Sequence, residues 1–160
     1  MITGEMAAIN NCTNILTDPE GEFRLSASEA QNAFIDLSLY TNAESCPMVR
    51  PPHLEKREHQ SLVLIPTDLS QCASAIRWAG FREYIYGTSI ATLTEHGWRQ
   101  IQISSMDVFA ASYDLPTRSQ LISNVLSNET DPYFLWQYDP TYPCPKGCSR
   151  TRTGASCVAS

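Results

Sequence analysis

The chain has no apolar run approaching the ~20 residues that a membrane-spanning helix needs. Its N-terminus, MITGEMAAIN, lacks the basic stretch followed by an apolar core that marks a signal peptide, and none is expected here. A surplus of basic charge is also missing. Eleven Lys and Arg face 17 Asp and Glu, for a net charge of −6, and the densest basic group, EKRE at 55–58, is offset by its own acids. That balance argues against a nucleic-acid partner, whose affinity rests on Lys and Arg neutralising phosphates. A small uncharged or cationic ligand fits it better. Internal repeats and low-complexity tracts are absent too. What remains is 160 residues with 42% hydrophobic and 18% charged content, enough for one globular domain with a real core.

Six cysteines are many for an intracellular domain of this size, and three of them, Cys144, Cys148 and Cys157, fall in the last 17 residues. Asn11-Cys12-Thr13 and Asn128-Glu129-Thr130 fit the glycosylation sequon. Asn11 is expected on a helix, where a glycan is disfavoured. Asn128 and the C-terminal cysteines lean towards an oxidising compartment for a full-length parent.

Local patterns suggest alternating elements. GEMAAINNCTNIL places Met6, Ile9, Cys12 or Thr13, and Leu16 at helical spacing, closed by TDPEG. A serine-capped helix is expected around 28–34, and IDLSLYTNAE reads as a strand running into a loop. CASAIRWAGF reads as a helix ended by Gly80, EYIYGTS as a strand, IATLTEHGW as a helix ending at Gly97, and RQIQISS as another strand. SMDVFAASYDL and RSQLISNVLSN look like amphipathic helices, and from Asp131 a chain rich in Pro and aromatics is expected to run extended over the surface. Strands alternating with helices imply an α/β sheet covered on both faces. Trp78, Tyr84, Tyr86 and Trp98 are expected in the core.

One stretch breaks the pattern. Residues 44–48 read ESCPM and residues 72–80 read CASAIRWAG, but 49–71, VRPPHLEKREHQSLVLIPTDLSQ, lie between them and share no periodicity with their neighbours. Joined across that tract, the text becomes LYTNAESCPMCASAIRWAGFREYIYGTSI. It resembles the zinc deaminases of the cytidine/deoxycytidylate type, especially the guanine-deaminase-like and tRNA-adenosine-deaminase-like branches, over roughly residues 3–115. Their signature is His or Cys-x-Glu on one helix and Pro-Cys-x-x-Cys at the start of another. Cys46-Pro47-Met48 followed by Cys72 supplies the second element, with Ser45 where Pro is usual, and GEMAAIN resembles the first.

The resemblance implies a three-layer α/β/α, cytidine-deaminase-like fold with a mixed sheet, lacking the family's first helix and first two strands. It implies zinc held by Cys46 and Cys72, and Glu5 as the general acid/base that moves protons between a metal-activated water and the ring. Two thiolates one helical turn apart at a helix start suit such a cation. The substrate would be a nucleobase or nucleoside, a guanine-like small molecule being favoured over tRNA, and a homodimer would fit the family. Asn42, on the loop before Cys46, is a candidate base contact, and Trp136 with Tyr138 could stack on the base from the tail. Two departures weaken zinc and activity in this chain, the missing N-terminal elements and the residue two before Glu5. Thr3 stands where the family needs His, and Thr is not a competent zinc ligand.

The tract 49–71 reads as an anomalous insertion within a deaminase-like domain of residues 1–130, followed by a tail of residues 131–160. A retained intron would account for it, because Val49-Arg50 can be written GTR-AGR, Gln71 CAG, and Thr67-Asp68 ACT-GAC, which contains a branch-site sequence. A genuine insertion loop is the competing reading. A wrongly placed start codon would explain Thr3 and the missing N-terminal elements. His53 and His59 could in principle replace the absent ligand, although solvated loop histidines are the default. His96 is expected to cap a helix C-terminus. Cys12, Cys144, Cys148 and Cys157 could form structural disulfides or stay idle. The other reading of the whole chain is a non-catalytic, secreted binding module held by disulfides.

Overall fold

The computed structural model describes residues 4–46, 72–151 and 157–159. The tract 49–71, with His53 and His59, lies outside the described residues, as does Thr3. The first helix, α1 (Gly4–Thr17), turns Ile9, Cys12 and Leu16 towards the core, the face that the helical spacing selects. Ser26 starts α2 (Ala27–Ala33) with a reciprocal capping box. Its side chain accepts from the Glu29 N–H, and the Glu29 carboxylate accepts from the Ser26 N–H at 2.8 Å. A 3-10 turn (Phe34–Asp36) leads into β1 (Ser38–Ala43). Helix α3 (Cys72–Ala79) ends at Gly80, whose φ of +81° is the left-handed geometry that glycine adopts without strain. Then come β2 (Glu83–Thr88), α4 (Ile90–Glu95), α5 (Ser105–Ala111), β3 (Gln120–Ile122) and α6 (Ser127–Leu135). The chain closes with an antiparallel pair, β4 (Cys148–Arg150) and β5 (Cys157–Ala159).

The sheet has the order β1-β2-β3, and every ladder in it is parallel. This is an α/β arrangement, but the described strands do not form the mixed sheet that was expected. β1 is followed by α3 and β2 by α4 and α5, so each crossover brings the next strand in at the same end. β2 is the central strand and is buried along almost its whole length. Alternate residues point to opposite faces. Leu39, Tyr84 and Tyr86 form a core cluster with Phe34, Ile76 and Phe81, against which Ile9, Cys12, Leu16 and Phe109 pack. On the other face α6 comes so close at Gly87 that a Cβ there would stand 2.6 Å from Thr130 Cγ2. Among the described residues no helix is long and apolar enough to cross a membrane.

Three expected elements differ. Residues 99–104 form no strand: Ile101 and Ile103 are exposed, and Ser104 instead caps α5 through a second capping box with Asp107. Within the helix expected over 118–128, residues 120–122 are strand β3, because Leu121 and Ile122 pair in register with Tyr84 and Ile85. The extended tail expected from Asp131 begins inside α6, which accommodates Pro132 in its interior. Tyr84 and Tyr86 are core residues as expected, whereas Trp78 is 69% exposed. His96 caps α4, with its Nδ1 2.9 Å from the Thr92 carbonyl oxygen. Cys148 is disulfide-bonded, while Cys12 and Cys144 are free thiols.

Candidate functional site

A cavity of about 440 Å³ opens where the start of α1, the edge of β1 and the start of α3 meet. Five consecutive β1 residues, Leu39 to Ala43, line it. Side chains alternate across a strand, so an unbroken run of lining residues means that the strand presents its edge to the cavity. β1 is the outer strand of the described sheet, and Tyr40 on it is 71% exposed. Gly4, Glu5 and Ala8 of α1 form one wall. Trp98, Gln100 and Phe134 contribute another, with the Trp98 ring set edge-to-face against Phe134 at 6.3 Å and its Nε1 donating to the Phe134 carbonyl. The volume falls within the roughly 300–1,000 Å³ range of small-molecule sites.

Four of the five residues singled out from the sequence, Glu5, Asn42, Cys46 and Cys72, line this one cavity. Cys72 is 1% exposed and is the first residue of α3, while Cys46 is half-buried on the segment that leaves β1. The fifth, Trp136, is not among the lining residues. It is 5% exposed, its Nε1 donates to the Tyr133 carbonyl, and the Arg150 guanidinium sits 5.9 Å from its ring centre. Trp136 therefore ties α6 to the β4–β5 ribbon. The aromatic side chains facing the cavity are Tyr40, Trp98 and Phe134, and Trp98 had been assigned to the core.

A buried network of hydrogen bonds runs behind the cavity wall. Ser45 Oγ donates to Glu5 Oε1 at 2.8 Å, and Tyr84 OH donates to Ser45 Oγ at 2.8 Å. The Ser45 N–H donates in turn to Tyr84 OH at 2.7 Å, and Thr41 Oγ1 lies 3.1 Å from the same hydroxyl. Burial pushes the Tyr84 hydroxyl above its ordinary value, with the nearby Glu5 carboxylate adding to the effect and the hydrogen bonds to Ser45 and Thr41 opposing it. Tyr84 is therefore a proton donor at neutral pH.

Glu44, 7% exposed, braces the site from below. Its Oε2 accepts from the Ile90 N–H at 2.8 Å and its Oε1 from the Ser105 N–H at 2.6 Å. These are the first residues of α4 and α5, so one carboxylate satisfies an otherwise orphaned donor on each of two helices. Burial and the neighbouring Glu44 carboxylate push Tyr86 up to about 12. Sequence reasoning gave Glu44 no role and noted Ser45 only as a replacement for Pro. The one available signal was that Glu44 and Ser45 immediately precede the candidate metal ligand Cys46.

The donor set bears on zinc. A catalytic zinc takes three protein ligands and keeps one open position. Cys46 and Cys72 supply two sulfurs, Glu5 is engaged by Ser45, and among the described residues no group of three or more His, Cys, Asp or Glu side chains is set to hold a metal ion. Comparison of the chain with protein-family models, curated proteins and solved structures gives no match.

Proposed function

We propose that this chain is a domain of the cytidine/deoxycytidylate deaminase type whose cavity binds a small nucleobase or nucleoside, guanine-like in preference, and that as written it binds without turnover. The observation that carries this reading is the convergence of Glu5, Asn42, Cys46 and Cys72, from three separate segments, on one cavity of ligand size. The lining suits a flat heterocycle. Trp98 and Phe134 offer ring surface, the Asn42 amide can both donate to and accept from a base edge, and the Glu5 carboxylate can accept from a ring N–H. With the two sulfurs of Cys46 and Cys72 and no third ligand among the described residues, zinc would be held weakly, and hydrolytic release of ammonia would be negligible. Ligand-detected NMR with guanine, adenine and cytosine, followed by an ammonia assay with added zinc, tests the proposal. Guanine should give saturation transfer with no ammonia. Absence of binding by all three bases would defeat the ligand assignment, and turnover with stoichiometric zinc would defeat the inactivity.

The disulfide at Cys148 favours a second reading, a non-catalytic binding module stabilised by oxidation. In that case the outer edge of β1 in the described sheet would be the recognition surface, taking an extended peptide as an added strand. Alkylation of the unreduced native protein separates the two readings. A Cys148 that is protected until reduction favours the module, and a Cys148 alkylated as a thiol counts against it.

A further inference from the structure

We propose that Ser45, held in place by Tyr84, is a positioning residue that fixes the Glu5 carboxylate at the cavity wall. The inference rests on the reading of Glu5 as the ligand-facing acid. Hydroxyl protons can be counted through the network. Thr41 Oγ1 donates to the Ala43 carbonyl at 2.7 Å, so its proton is committed there. Tyr84 OH already accepts from the Ser45 N–H, and its own proton goes to Ser45 Oγ. The proton on Ser45 Oγ then points to Glu5 Oε1. Every donor runs in one direction, Tyr84 to Ser45 to Glu5, and the chain ends on an acceptor. A string of aligned hydroxyls inside a low-dielectric interior strengthens its terminal bond to a carboxylate.

Ser45 is itself immobilised at three points. Its N–H is held by Tyr84, its carbonyl accepts from Ser105 Oγ at 3.0 Å, and its side chain joins Tyr84 to Glu5. Ser45 is 1% exposed and Tyr84 is fully buried, so water does not compete for these groups. Glu5 sits in the first turn of α1, where the backbone alone leaves a long side chain free to rotate into solvent. The bond from Ser45 removes that freedom and occupies one oxygen, leaving the other to meet a ligand. The Ser that replaces the usual Pro beside Cys46 is in this way functional: Pro has no hydroxyl to offer Glu5 and no N–H to offer Tyr84. Simple anchoring of α1 would use the same bond, but it would make stability, and not ligand affinity, depend on Ser45.

The experiment compares the full chain with Ser45→Ala, Tyr84→Phe, Glu5→Gln and the Ser45→Ala/Glu5→Gln double variant. Guanine affinity and the ¹³C carboxyl resonance of Glu5 in the ligand-free protein are the readouts, and thermal unfolding is the control. Ser45→Ala should weaken guanine roughly tenfold, and the double variant should bind no worse than Glu5→Gln alone, because partners in one network are not additive. The Glu5 resonance should shift in Ser45→Ala, and less in Tyr84→Phe, while that of Glu44 stays in place. If Ser45→Ala does not fold, Tyr84→Phe carries the comparison, since it keeps the ring volume. An affinity within about twofold of the parent in a folded variant, with or without a moved resonance, overturns the proposal. If the parent chain does not bind guanine, the ligand reading has failed. The carboxyl resonance then decides the contact independently, supporting it by moving and overturning it by staying.

Discussion

Replacing Glu44 by glutamine should destabilise the fold out of proportion to the size of the change. The substitution is isosteric, yet it turns one of two acceptor oxygens into an NH₂ group facing a backbone N–H. Either the Ile90 or the Ser105 N–H, which donate to Glu44 at 2.8 Å and 2.6 Å, loses its acceptor inside a site where Glu44 is 7% exposed. A buried donor left unsatisfied costs about 1–3 kcal/mol, and the surviving bond loses its charge assistance, which adds about 1 kcal/mol. A total of about 2–4 kcal/mol, at ~2–4 °C per kcal/mol for a chain of this size, lowers Tm by roughly 5–15 °C. Circular-dichroism melting measures it. A second readout comes from Tyr86. Burial is the main cause of its rise to about 12, and Glu44 is the next, so tyrosinate absorbance in Glu44→Gln should show this residue titrating at lower pH. A Tm within about 1 °C of the parent, with Tyr86 unmoved, would refute the assignment of Glu44 as the brace of α4 and α5.

Tyr86 also sets a pH dependence. Its folded value is raised above the ordinary 10 to about 12, so the stability it contributes is complete below pH 10 and is lost as pH rises towards 12. Chemical denaturation across that window should show a shallower fall for Tyr86→Phe than for the parent. Gly87→Ala should cost about 1–3 kcal/mol by forcing a methyl against Thr130. Adding Thr130→Ala should recover part of this loss in urea unfolding, because it removes two of the three crowding atoms. Zinc added to the metal-stripped protein is expected to bind weakly through Cys46 and Cys72. Isothermal titration should lose that heat in Cys72→Ser, and one tight equivalent of zinc in the parent would contradict the two-ligand site.

Local signals were enough for much of the first two-thirds of the described chain. Ser26 with Glu29 starts α2, Gly80 ends α3, and the apolar spacing of Ile9, Cys12 and Leu16 marks the buried side of α1. Later elements depend on partners that a short window cannot show. Residues 99–104 alternate like a strand, but no described strand pairs with them, and the Ser104–Asp107 capping box claims their end for α5. β3 is three residues long, too short for any period to register, and exists because β2 offers it an edge. Pro132 and the surrounding aromatics suggested an extended tail, yet α6 continues through the proline and packs Leu135 fully inside. The site divides in the same way. Rejoining ESCPM to CASAIRWAG pointed to Cys46 and Cys72 from adjacent text. The parts played by Ser45, Tyr84 and Glu44 rest on hydrogen bonds between residues 39 to 61 positions apart, which no linear motif encodes.

The most direct test of a nucleobase cavity is an amide-detected NMR titration of the ¹⁵N-labelled chain with guanine, repeated on Glu5→Gln. Saturable shifts clustered at Glu5, Asn42, Cys72 and Trp98, weakened in the variant, are the expected result. No saturable shifts, or shifts confined to surfaces away from those residues, would contradict it.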